Sequence, residues 1–129
     1  MRYFISMLLV SSMLFLSCKK SNEEIVVNDG FTGKWQLISY GIGIGGTMQN
    51  PDPEKPEIIE FKSDSSFNAN QHSQILKTFN AYRSTGLDKI KFSPDSPPNN
   101  WAFILVNNNL ELYNLDCREG CIFEYKPVR

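Results

Sequence analysis

The chain has 129 residues, a formal net charge of −1, three cysteines and one histidine. That length supports a single domain with a core of its own. The near-neutral charge, with no basic block, argues against a nucleic-acid partner, and the lone His72 argues against a zinc site built from His and Cys.

The first segment is a leader. Met1-Arg2 runs into an apolar stretch, Ile5 to Leu16, that stops at Ser17-Cys18, and Lys19 to Glu24 is polar throughout. A short charged start, a short apolar stretch and a small residue at the cut form a secretory signal over residues 1–17. The stretch is too short to cross a bilayer as a helix. Leu14-Phe15-Leu16-Ser17-Cys18 resembles the lipobox of bacterial lipoproteins. The resemblance implies that Cys18 is acylated and becomes the first residue of the mature protein. Residues 18–30 read as a charged, weakly hydrophobic tether, interrupted by the apolar island Ile25-Val26-Val27.

From Phe31 to Arg129 short alternating or apolar runs are separated by turn residues, and no helical period extends over ten residues. This predicts an antiparallel all-β domain over 31–129. A first strand covers Gly33 to Tyr40, with Trp35 and Leu37 on one face. A second covers Glu57 to Lys62, and a third contains Phe67 and Ala69. Ile75 to Arg83 reads as a fourth, without a clear inner face. Leu87 to Phe92 is a fifth, with Ile90 and Phe92 inward and Lys89 and Lys91 in water. The proline-rich stretch Ser93 to Asn100 is a loop. Trp101 to Val106 is a sixth strand, apolar on both faces. Asn107-Asn108-Asn109 then joins it to Leu110–Leu115, because Asn tolerates the left-handed backbone of tight hairpins. Cys121 to Lys126 is the eighth, ended by Pro127. Eight short strands fit an up-and-down barrel, in which closure removes exposed edges. Its bore is one that side chains fill or that holds one small ligand.

With Cys18 carrying lipid, Cys117 and Cys121 remain as a pair. Arg118-Glu119-Gly120 between them suits a three-residue hairpin loop with Gly left-handed, which places the cysteines opposite one another for a disulfide. Closing so small a loop stabilises by about 2 kcal/mol. The other reading is two separate buried thiols.

Gly41-Ile42-Gly43-Ile44-Gly45-Gly46 matches a dinucleotide-binding pattern, but Pro51, Pro53 and Pro56 follow where a phosphate-holding helix must begin. A long loop at one mouth of the barrel, able to act as a lid, is the better account. The carboxylates Glu57, Glu60, Asp88, Asp95, Glu111, Asp116, Glu119 and Glu124 read mostly as solvated strand faces and turns. His72, in a polar turn, reads as a surface residue. No catalytic residue, metal ligand or cofactor is expected. If Trp101, Phe103 and Leu105 face inward, then Ala102, Ile104 and Val106 form an apolar outer row that needs a cover. The tether island is one candidate cover, and an envelope protein partner is another.

Gly33-Lys34-Trp35-Gln36-Leu37 resembles the G-x-W opening strand of lipocalins and related calycins. Glu57 to Phe67 resembles the second strand and turn of lipocalin-like lipoproteins of Gram-negative bacteria, with Ser65 where Gly is usual, and Leu110 to Lys126 is similar to their closing hairpin. The resemblance implies an eight-stranded barrel on a lipid anchor, without a defined activity. Lys19 after Cys18 resembles lipoproteins forwarded to the outer membrane, on its periplasmic face or at the cell surface. The expectation is a non-enzymatic envelope protein that binds a small hydrophobic ligand among Trp35, Phe61, Phe67, Phe92 and Phe103. The rival is a filled barrel acting as an accessory or interaction lipoprotein.

Overall fold

A computed structural model describes residues 29–42 and 46–129. The signal, Cys18 and the tether island Ile25-Val26-Val27 lie outside the described residues.

Eight antiparallel strands form one sheet that curls into a nearly closed barrel. They are β1 (Gly33–Ile42), β2 (Ile58–Phe61), β3 (Phe67–Ala69), β4 (Ala81–Ser84), β5 (Lys89–Ser93), β6 (Trp101–Val106), β7 (Asn109–Asn114) and β8 (Cys121–Pro127). A short 3-10 turn, Asp29–Phe31, precedes them. The spatial order is β3-β2-β1-β8-β7-β6-β5-β4, so every strand but β3 neighbours the next in sequence and β1 meets β8. The ring is completed weakly between β3 and β4. There a single bridge joins Ser66 to Ala81, with the Phe67 N–H donating to the Asn80 carbonyl (2.9 Å) and the Tyr82 N–H to that of Ser65 (3.0 Å).

Alternation explains most of the inner face. Trp35 and Leu37, Ile59 and Phe61, Ile90 and Phe92, Trp101 and Phe103, and Leu110 and Leu112 are all buried. One half of the bore is packed solid with rings. Phe31 lies against Phe61 (5.2 Å between centroids), Phe103 (4.8 Å) and Tyr82 (5.6 Å), while Phe67 lies against Phe92 (4.8 Å). Mostly edge-on or tilted contacts suit the ring quadrupole and fill space without a void. The Trp35 indole N–H donates to the Phe31 carbonyl at 2.7 Å, which fastens the incoming chain across this end.

Several expectations are corrected. Residues 74–78 are turns, and the fourth strand begins only at Ala81. The cause is local: the Leu76 N–H donates to Ser73 Oγ (3.1 Å) and the Phe79 N–H to the Leu76 carbonyl (3.1 Å), which coils the chain and sends Leu76 and Phe79 inward together. Leu105 shares the inner face with its partner Leu110 but is 37% exposed. Ile104, Leu105 and Val106 are all exposed near the hairpin tip. At that tip Val106 pairs with Asn109, and Asn107 and Asn108 both take left-handed backbone (φ 52° and 66°), the two-residue turn that Asn permits.

The disulfide joins Cys117 to Cys121, with the Cα atoms 5.7 Å apart. It does not link facing ladder positions, since Cys121 pairs with Asn114 and residues 115–120 form the connection. The bridge instead closes the turn at its end. The Gly120 N–H donates to the Cys117 carbonyl (2.9 Å), and Gly120 is left-handed at φ 75°.

Candidate functional site

The other half of the bore is open. A cavity of about 530 Å³ lies there, exposed to solvent on one side, within the size range of small-molecule sites. Leu37, Trp101, Phe123 and Leu76 form its apolar depth, and Ile75 and Ile42 lie toward the mouth. Trp101 separates it from the packed half, with its ring 5.9 Å from Phe92 and 6.0 Å from Phe123.

An irregularity in β1 shapes this end. Leu37 pairs with Tyr125, but Ser39 pairs with Glu124, so Ile38 is an extra residue in the strand. A bulge of this kind reverses which side chains face in. Before it Trp35 and Leu37 are inward, and beyond it Tyr40 and Ile42 join the cavity wall, opposite Phe123 and Cys121.

The loop after β1 closes part of the mouth. Tyr40 and Gln49 exchange backbone hydrogen bonds (3.0 and 2.7 Å), bringing the chain back along its own strand. The Met48 thioether consequently sits over Gly41. A Cβ built on Gly41 lies 2.6 Å from that sulfur, so the close approach depends on glycine. Pro51, Asp52 and Lys55 then contribute to the rim. The described part of the loop contains no helix, so the glycine run lacks the element a dinucleotide site requires.

Polar groups converge on one wall. Tyr125, fully buried, donates its hydroxyl to Glu57 Oε1 at 2.8 Å. The Ser73 hydroxyl also hydrogen-bonds to Glu57. Because Ser73 Oγ accepts the Leu76 N–H, its own proton is available to the carboxylate. Asn70 holds the two segments in register: Oδ1 accepts the Ile58 N–H (3.2 Å) and Nδ2 donates to the Pro56 carbonyl (2.8 Å). Burial is the largest influence on Glu57 and pushes its carboxyl above the usual carboxylate range, while the Tyr125 and Ser73 hydroxyls partly oppose this. Burial and the neighbouring Glu57 charge likewise raise the Tyr125 phenol well above its ordinary value.

The five aromatics expected to line a ligand pocket are brought together, but in the packed half. Trp35, Phe61, Phe67, Phe92 and Phe103 are all buried, and none lines the cavity. Glu57, read among the solvated carboxylates, and His72, read as a surface residue, instead line the cavity, His72 half-buried, together with Ser73 and Tyr125, which sequence reasoning did not single out. A signal for Glu57 existed: it shares strand parity with the inward Ile59 and Phe61. Among the described residues, no three His, Cys, Asp or Glu side chains gather as a metal site.

No protein-family model matches this chain, and comparison with curated proteins and with solved structures finds no match.

Proposed function

We propose that this is a lipid-anchored, lipocalin-like protein of the cell envelope that holds a small hydrophobic molecule in the open half of its barrel, without catalysing a reaction. The observation that carries this reading is the cavity of about 530 Å³, apolar in its depth and bearing a few convergent polar groups. That combination is the ordinary form of a small-molecule site. The aromatic half gives the site a rigid floor, and the returning loop gives it a partial cover. The disulfide accords with an exported protein, and the address at the outer membrane rests on the leader, Cys18 and Lys19.

Two experiments test it. Native mass spectrometry of protein purified from its own host is expected to reveal a copurified small molecule. Wild-type protein is expected to take up Nile red with a rise in fluorescence, and Ile75→Trp, which narrows the cavity mouth, to reduce that uptake while keeping its melting behaviour. Equal uptake by Ile75→Trp, or none by wild type after ligand is stripped, overturns the reading. For the address, Cys18→Ala is expected to remove lipid labelling and membrane association together.

A second reading is favoured by one feature. Ile104, Leu105 and Val106 form an exposed apolar tip at the end away from the cavity, suited to an accessory protein that meets a partner there.

A further inference from the structure

The cavity contains an asymmetry that constrains its ligand. Its walls are apolar except on one side, where Glu57 reaches in from the residue preceding β2. The ionisable groups around the cavity are Tyr40, Asp52, Lys55, Glu57, His72 and Tyr125. Asp52 and Lys55 are exposed at the rim and opposite in charge, so their fields largely cancel and water screens both. His72 lies in the turn beside them, and Tyr125 is a neutral donor already committed to Glu57. Among the described residues, Glu57 is the carboxylate set against the apolar depth of the cavity.

Two hydroxyls hold that acid, from Tyr125 and Ser73. A half-buried carboxylate held by neutral hydroxyl donors gains from an added cation. A ligand carboxylate brought to the same wall meets like-charge repulsion in a poorly solvated place.

We propose that the cavity selects hydrophobic amines over hydrophobic acids, with the ligand ammonium donating to the Glu57 carboxylate and its apolar body lying against Leu37, Trp101 and Phe123. This deepens the binding reading above and rests on it. An ammonium–carboxylate hydrogen bond in such a place contributes roughly 1.5–3 kcal/mol, a preference of at least about tenfold.

The test is competition against bound Nile red at neutral pH, using decylamine, decanol and decanoate on wild type and on Glu57→Gln. Nile red is uncharged, so its uptake reports an intact cavity in both proteins. In wild type, decylamine is expected to displace the dye at concentrations at least about tenfold lower than decanoate does. In Glu57→Gln the two are expected to converge, with decanol little changed. Decanoate competing as well as decylamine in wild type overturns the amine inference and leaves the binding reading standing. So does an amine preference that survives in Glu57→Gln. Failure of Nile red to enter wild type removes both. The wild-type comparison decides the question even where Glu57→Gln fails to fold.

Discussion

At the scale of single residues, buried polar groups determine how this barrel responds to change. Asn99 is the clearest structural case. Its Oδ1 accepts the Phe92 N–H (2.7 Å), and its Nδ2 donates to the Phe92 carbonyl (2.8 Å) and to Asp95 Oδ1 (2.7 Å). One side chain thus supplies Phe92 with the two bonds a neighbouring strand would have given, just before β6 begins. Asn99→Ala leaves both backbone groups unpaired and is expected to cost about 2–3 kcal/mol, measured by denaturant unfolding. A loss below half a kilocalorie contradicts that role. Glu57 gives a pH signature. Burial raises its folded value, so the native state retains a proton that the unfolded chain has already lost. Its contribution to stability is therefore full below the unfolded value, near pH 4.3, and is lost as pH rises through the higher folded value. Glu57→Gln cannot titrate. Its Tm is expected to fall less than that of wild type from about pH 4 to pH 8, and parallel curves refute the assignment.

At the scale of elements, turn chemistry decides where strands end, and one turn carries strain. Between β2 and β3, Ser65 takes left-handed backbone at φ 67°, held by its N–H on the Lys62 carbonyl (3.1 Å) and by Asp64 Oδ1 accepting the Ser66 N–H (2.9 Å). The Asp64 hydrogen bonds with Ser66 also keep that carboxyl below its usual range. A side chain there costs about 1–2 kcal/mol that glycine avoids, partly offset by the freer unfolded chain. Ser65→Gly is expected to stabilise by about 0.5–1 kcal/mol, and calorimetry showing a lower Tm contradicts it. Elements governed by such local rules were legible in the sequence. The span of β6, the Asn107-Asn108 turn and the pairing of Cys117 with Cys121 needed only residue type and spacing. What escaped depends on partners distant in sequence. The coil at Ser73–Phe79 arises from a serine hydroxyl capping a turn, which a run of mixed apolar residues disguises as a strand. The bulge at Ile38 exists only relative to β8, so strict alternation places Tyr40 on the wrong face. The expected ligand aromatics were correctly read as inward, but parity alone cannot say which half of a bore is filled.

At the scale of the whole molecule, the barrel is unevenly closed, and the chain that spans its weak seam lines the cavity. β1 and β8 pair from Trp35–Pro127 to Ile42–Cys121, and β7 pairs with β8 along its length from Leu110 to Asn114. β3 and β4 share the Ser66–Ala81 bridge and the flanking bonds, with the Tyr82 hydroxyl donating to the Lys62 carbonyl at 2.8 Å as a further tie. The chain between these two strands includes Gln71 to Leu76, which forms one wall of the cavity. Opening the seam therefore loosens that wall while the β1–β8–β7 ladder stays intact. Sub-global openings follow such differences in pairing and burial. In native-state hydrogen exchange, the amides of Phe67 and Tyr82 are expected to exchange well before those of Leu112 and Tyr125. Filling the cavity with Nile red is expected to slow the seam amides and leave the β7–β8 amides at the rate of global unfolding, because a ligand stabilises the closed state by mass action only against openings that release it. Simultaneous exchange of all four amides, with or without the dye, contradicts a separate seam and makes the barrel one cooperative unit.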